Sequence, residues 1–441
     1  MATLASAIEK PVERKASESL LAYRALLLFT FLYYSRPEDL VPGISVIPLE
    51  KIVGGVALIA LVSTLASGRV KRKPPLELKL LLLLFLHFTI SIPFAYWRGG
   101  AFGVVFFGFS KALTVGLLVT LIVDTFEQLR KLLWVQAASL ALTTIASILI
   151  HHTESSGRLI GASLGIFQNP NDLAINIAIN LPLCVAFLLL GRSAIKIAAW
   201  MVGIVAMFLG VVLTYSRSGL LATIVATVIS LWEFGVRGKR FYLIAGAGLF
   251  AILGVGVVVA TPHYMLRVES IFRGNVEGSA DNGSWEARRQ LLAYSIDETI
   301  HHPIFGIGAG NFGAATKTWR VTHNSYTELA AEGGFPALLL YLAILCLAFR
   351  NLKRIRSMAV YRGNVEVRVF TGALWASLLA YVAGSMFASF EYQLFPYFMV
   401  AYTSALYRWA EQASQGEGNT AGPAKRKTLV SWDARRESWK R

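Results

Sequence analysis

Residues 196 to 235 read KIAAWMVGIVAMFLGVVLTYSRSGLLATIVATVISLWEFG, an apolar stretch whose polar interruption, Thr214-Tyr215-Ser216-Arg217-Ser218, falls near its middle. At 1.5 Å per helical residue it measures about 60 Å, two crossings of a hydrocarbon core about 30 Å thick. A membrane barrel would show polar and apolar residues alternating, and here they come in runs. The stretch therefore reads as two membrane-spanning helices joined by a tight turn. An arginine in that turn is costly in lipid, so Arg217 faces the protein interior or snorkels to outer phosphates.

Outward from this pair, similar apolar runs occupy residues 20–35, 47–66, 77–96, 102–123, 132–150, 172–190, 241–260, 325–349, 369–387 and 392–408. Of 441 residues, 55% are apolar and 15% charged, against about 25% charged in soluble domains. That composition excludes an ordinary soluble enzyme and a disordered chain. The net charge of +16 does not point to nucleic acid, because the basic residues form no stripe with interleaved aromatics. They cluster in the even-numbered connections, as Arg69/Lys71/Arg72/Lys73, Arg130/Lys131, Arg192/Lys196, Arg237/Lys239/Arg240 and Arg350 to Arg368. With the two tails, about two thirds of the basic residues fall on one face, which the positive-inside rule makes cytoplasmic.

The expected fold is an all-α polytopic membrane protein of about twelve transmembrane helices, with both termini cytoplasmic. One large external, partly helical loop separates spans 9 and 10. The divisions are a cytoplasmic tail at 1–19, spans 1–9 over 20–260, the external loop at 261–324, spans 10–12 over 325–408 and a basic cytoplasmic tail at 409–441. Lys10, Arg14 and Lys15 precede the first run, which ends in Tyr33-Tyr34-Ser35-Arg36-Pro37 without a small-residue cleavage site, so it reads as an uncleaved span. Cys184 and Cys346 both lie inside apolar runs and are expected to be buried thiols. No internal repeat is visible, which counts against carriers built from two similar halves.

Loops as long as 261–324 are functional or disordered, and this one is not low in complexity. It holds Arg267, Arg273, a soft stretch Gly278 to Gly283, an amphipathic helix from Ser284 to His301 capped by Ser284, Pro303, and the run Gly306-Ile307-Gly308-Ala309-Gly310-Asn311. The helix is expected to pack on the bundle or on the lipid interface. Arg288 and Arg289 sit near its N-terminus, where the helix dipole disfavours a cation unless an anion is present. At the loop's end, Thr322-His323-Asn324-Ser325-Tyr326-Thr327-Glu328 runs into Glu332-Gly333-Gly334. His323, Tyr326 and Thr327 share one helix face, and Glu328 and Glu332 stack at i, i+4 in an apolar helix, where acids need cations or hydrogen bonds. Phe167-Gln168-Asn169-Pro170-Asn171-Asp172 opens span 6, its asparagines either aimed at a polar ligand or capping the helix. The pairs His151/His152 and His301/His302 lack the spacing and companion cysteines of a zinc site, and the glycine-rich run fits no phosphate-loop pattern. No metal and no cofactor is expected.

Taken together, Phe167-Gln168-Asn169-Pro170-Asn171, Ser216-Arg217-Ser218-Gly219, the Arg288 helix running into His302-Pro303-Ile304-Phe305-Gly306-Ile307-Gly308, and His323-Asn324-Ser325-Tyr326 with Glu328 and Glu332-Gly333-Gly334 resemble the O-antigen ligase and polymerase superfamily of bacterial envelope glycosyltransferases. The resemblance covers roughly residues 160 to 345. It implies an enzyme of the bacterial inner membrane that moves a glycan from an undecaprenyl-diphosphate carrier to an acceptor hydroxyl, inverting and without metal. The lipid A core is the foremost acceptor it suggests; a glycan chain, as in a polymerase, or a protein side chain are the others. Its arginines fall on Arg217 and Arg288, with Arg289 one residue away, and its histidine on His323; these are the expected catalytic residues. Arg289, Asn171, Asn324, Tyr326 and Glu328 are expected to bind substrate. Partners are then the lipid-linked donor, the acceptor and the bilayer, and no nucleic acid. A secondary transporter and a non-catalytic assembly or flippase-like subunit are the readings from other classes.

Overall fold

The computed structural model describes residues 20–37, 49–66, 74–161, 167–246 and 282–420. Among these it is helical throughout, with one isolated β-bridge between Thr153 and Leu159. In chain order the long helices are α1 (Leu20–Ser35), α2 (Leu49–Ala66), α3 (Leu76–Ser91), α4 (Arg98–Ile122), α5 (Phe126–Leu149), α6 (Pro170–Leu189), α7 (Ala194–Leu213), α8 (Arg217–Val236), α9 (Asn282–His301), α10 (Ser325–Ile355), α11 (Val365–Gly384) and α12 (Leu394–Thr420). Eight of them, α3 to α8, α10 and α11, are long and apolar enough to cross a membrane, and α1 is a shorter apolar helix, as is Lys51–Ala66 within α2. The chain is an all-α, multi-span membrane protein. The expected ninth span lies outside the described residues from 247 onward. So do Lys10, Arg14, Lys15, the cluster at 69–73, Arg267, Arg273 and residues 278–281.

Helix starts follow from local chemistry. Asn169 accepts the Asn171 N–H at 2.8 Å, with Pro170 at the first helical position of α6. Ser216 accepts the Gly219 N–H at 3.0 Å to open α8, and Thr125 and Gln128 form a capping box for α5. Each cap satisfies donors that the first turn leaves free. One start and one end differ from expectation: Ser284 lies inside α9, which begins at Asn282, and α12 continues to Thr420 rather than ending at 408. Cys184 is buried as expected, whereas Cys346 is exposed on the surface of α10.

α6 is the hub, packed against α5, α7, α8 and α11. A Cβ on Gly219 would come within 2.1 Å of Ala174 Cβ, so α6 and α8 touch almost backbone to backbone, the approach that small residues permit between membrane helices. Some polar groups inside the bundle pair across helices: Gln136 donates to Asn180 at 2.7 Å and accepts from the Tyr402 hydroxyl at 2.8 Å, tying α5, α6 and α12. At the far end of α8 from Arg217, Glu233 receives Arg356 at 2.9 Å and Arg237 at 3.1 Å.

α10 is broken at Gly334, whose φ of 70° and ψ of −178° interrupt the helix just before Pro336. A break in a membrane helix frees backbone groups that lipid cannot satisfy. Here the segment before α10 satisfies them. Ile307 N–H donates to the Ala331 carbonyl, Gly308 N–H to that of Glu332, and the Phe335 N–H reaches the Pro303 carbonyl, each at 2.9 Å. His87 Nε2 donates to the Gly333 carbonyl at 2.7 Å. The glycine-rich run is therefore a docking edge: a Cβ on Gly306 would lie 2.2 Å from the Glu332 carbonyl carbon, and one on Gly334 would lie 2.5 Å from the Ile304 oxygen.

Both glycines hold positive φ and have backbone as their neighbour, so Gly306→Ala and Gly334→Ala should each destabilise the fold by about 1 to 3 kcal/mol. Gly55→Ala, in open space within α2, should be neutral or stabilising. Thermal unfolding of the purified variants in detergent checks this; equal midpoints for all three would refute the docking edge.

Candidate functional site

Two carboxylates on the first turns of α10 organise the end of the bundle at which that helix begins. Glu332 accepts the Gly310 N–H at 2.7 Å, the Phe312 N–H at 2.8 Å and the Tyr392 hydroxyl at 2.7 Å. Glu328 accepts the Thr322 N–H at 3.0 Å and its hydroxyl at 2.8 Å, and also the Ser389 hydroxyl. Glu332 thus fastens the glycine-rich run, and Glu328 fastens the turn that carries His323.

His323 stands in that turn with φ 57°, a left-handed conformation uncommon for non-glycine residues though enriched in histidine. Beside it Asn324 Oδ1 caps α10, accepting the Tyr326 N–H at 3.0 Å and the Thr327 N–H at 3.2 Å. The Tyr326 hydroxyl donates to the Val382 carbonyl at 2.9 Å. Asn324, Tyr326 and Glu328, expected to bind substrate, thus all make intramolecular bonds that hold His323 in place.

Arg288 is brought to the same point. On α9, Leu291, Ser295 and Thr299 are buried, and Leu291 packs with Ile307, Phe312 and Ala331 in a small core of its own. Arg288 lies on that inward stripe and is half-buried, whereas Arg289 is exposed. Burial, then the charges of Arg288 and Arg320, lower the His323 pKa from 6.5 to about 4. The imidazole is therefore neutral at pH 7. The sequence reading missed Arg320, which carries no pattern of its own and owes its position to the fold of the loop against Gly313.

Arg217 opens α8 at the same end of the bundle. Five residues on, Ala222 faces Gly384, whose neighbour Ser385 accepts the Ser325 N–H at 2.9 Å. Close to Arg217 a second arginine appears that was also not anticipated: Arg158 donates to the Thr214 carbonyl at 2.9 Å and to Asn171 Oδ1 at 3.0 Å, with Glu154 3.7 Å away. Of the two asparagines flanking Pro170, Asn169 is the cap and Asn171 holds Arg158.

Glu391 is the third unanticipated residue. It is buried in the turn before α12, and one oxygen from each of Glu328, Glu332 and Glu391 lies within 4.8 Å of the others. Burial and the adjacent acids push the Glu391 carboxyl well above the usual carboxylate range, and its Oε2 has no hydrogen-bond partner. Among the described residues this trio is the grouping that could hold a cation.

Residues 202–342, from α7 through the outer loop into α10, match the family model described as O-antigen ligase. The match bears out the superfamily suggested by the motifs and contains Arg217, Arg288, Arg320 and His323. No curated protein matches the chain.

The titration of His323 tests the register of α9. Its apparent pKa, followed by the pH dependence of carbethoxylation located by peptide mass spectrometry, should be near 4 in the wild type. Removing a neighbouring cation stabilises the imidazolium, so Arg288→Ala and Arg320→Ala should raise the value and Arg289→Ala should leave it alone. A rise with Arg289→Ala instead would shift the register by one.

Proposed function

We propose that this membrane protein, through its O-antigen ligase domain, transfers a glycan from undecaprenyl diphosphate to an acceptor hydroxyl at the outer face of the inner membrane, with the lipid A core as acceptor. The observation that carries the reading is a neutral histidine flanked by Arg288 and Arg320, at the end of the bundle where α8 begins with Arg217. A glycan leaving on a diphosphate needs its developing negative charge neutralised, and guanidinium forks match phosphate oxygens at any pH. A hydroxyl is a weak nucleophile and needs a base, for which unprotonated imidazole is suited.

In the proposed step the acceptor oxygen attacks the anomeric carbon from the side opposite the diphosphate. The new carbon–oxygen bond forms as the bond to the phosphate oxygen breaks, inverting the centre. Undecaprenyl diphosphate leaves with the electron pair, held by Arg217 and Arg288, and His323 takes the acceptor's proton. Arg289, exposed on α9, is left to contact the glycan or headgroups. A polymerase or a protein O-oligosaccharyltransferase would share this chemistry and differ in the acceptor.

Transfer and donor binding should separate in the variants. His323→Ala should bind lipid-linked donor and lose on the order of 10² to 10⁴ in single-turnover rate, whereas Arg217→Ala and Arg288→Ala should lose donor affinity too. Lysine at either arginine should restore only part, since a point charge cannot reproduce the fork. Weakened binding with unchanged chemistry in His323→Ala would remove it as the base.

With arginines neutralising the leaving group, transfer should survive exhaustive chelation. Loss of activity in chelator, restored by one divalent ion and insensitive to Glu391→Gln, would assign the metal to the donor. Loss that Glu391→Gln reproduces would assign it to the carboxylate trio.

A further inference from the structure

At the opposite end of the bundle from His323, a cavity of about 680 Å³ opens between α5, α6 and α7. Its mouth is cationic. Arg130 and Lys131 stand at the start of α5, and Arg192 and Lys196 at the turn from α6 into α7. Two acids offset part of this charge: Glu366 pairs with Arg130 at 3.0 Å, and Glu127, on the exposed surface, pairs with Lys131 at 2.9 Å. Among the described residues no acid pairs with Arg192 or Lys196.

Behind the mouth the walls turn apolar. Trp200 stacks on Phe187 with ring centres 5.2 Å apart and meets Trp134 edge to face at 6.4 Å. Beyond them Ala138, Ala141 and Gly203 leave a channel that continues to Ile145. From Arg130 to Ile145 the cavity follows α5 for about 22 Å at the helical rise, more than half the thickness of the hydrocarbon core. α7, which forms one wall, is the least buried of the eight spanning helices, with 28% of its apolar window inside the protein. The cavity therefore opens toward lipid along its length.

The two parts select one occupant. A soluble anion would use the cationic mouth and leave the channel empty, and a zwitterionic lipid would fill the channel without matching the surplus positive charge. Basic pockets between spans at the cytoplasmic surface recognise anionic headgroups. We propose that the cavity is a binding site for an anionic phospholipid, its phosphate between Arg192 and Lys196 and one acyl chain along Ala138, Ala141 and Gly203. The bound lipid fills the gap between α5 and α7, and it is separate from any donor at the other face. α7 leads to Thr214, the anchor of Arg158, so the lipid braces from below the helix that ends beside Arg217.

Native mass spectrometry of the full chain in detergent, titrated with phosphatidylglycerol or phosphatidylcholine, tests this. The wild type should retain one phosphatidylglycerol at least fivefold more tightly than phosphatidylcholine, and free glycerol phosphate should not bind. The double variant Arg192→Gln/Lys196→Gln should lose that preference, while Lys353→Gln/Arg354→Gln, which removes the same charge outside the cavity, should keep it. As a measurement on the unaltered protein, brominated phosphatidylglycerol in phosphatidylcholine vesicles should quench tryptophan fluorescence more than brominated phosphatidylcholine at equal fraction. The excess should vanish in Trp134→Phe/Trp200→Phe. Equal affinity for the two lipids, equal loss in both charge variants, or binding of glycerol phosphate alone would each overturn the proposal.

Discussion

The break in α10 at Gly334 is the constraint on which the His323 end of the molecule depends. Each backbone group left unpaired in hydrocarbon costs several kcal/mol, and the break leaves the Ala331, Glu332 and Gly333 carbonyls without helical partners. Ile307, Gly308 and His87 supply the donors. If residues 303–308 could detach, those carbonyls would be exposed again, so this segment is a fixed part of the bundle. Broken helices also occur in transporters, where the freed groups face a substrate. In α10 they face the protein's own loop.

The buried acids act through the same arrangement. Glu332 and Glu328 lie one turn apart; Glu332 gathers three donors from segments twenty or more residues away, and Glu328 takes two from nearby Thr322 and one from distant Ser389. Glu332 aligns the run that completes α10; Glu328 fixes Thr322, and with it the left-handed turn at His323. A carboxylate buried in a span would ordinarily demand a cation. Here hydrogen bonds stabilise two of the three, and Glu391, whose Oε2 has none, is the exception.

What the sequence made legible was what short-range patterns encode. Apolar runs gave the spans from α3 to α8 within a few residues, the asparagines around Pro170 marked where α6 begins, and the charge clusters separated one end of the bundle from the other. What it hid was set by contacts between segments and by loops without periodicity. Gly306-Ile307-Gly308 and Glu332-Gly333-Gly334 were both visible as motifs, but that one docks on the other follows only from the backbone bonds between them. Arg320 and Arg158 sit in loops without periodicity, and Glu391 lies in a turn between two spans. Whether Cys346 is buried depends on which face of α10 meets a neighbour, information absent from an evenly apolar run.

The surroundings of His323 differ from those of a histidine held by a carboxylate. An adjacent acid would favour the imidazolium and raise the pKa; burial, Arg288 and Arg320 do the reverse and keep the ring neutral but a weak base. In the proposed reaction the donor changes this balance. Its diphosphate brings negative charge to the same arginines, cancelling the field that depressed the ring and raising its pKa toward the operating pH, where a general base is most effective. Donor binding would then strengthen the base as it neutralises the leaving group's site. The ring would stay unprotonated and unable to trap an anion until a lipid-linked diphosphate is in place.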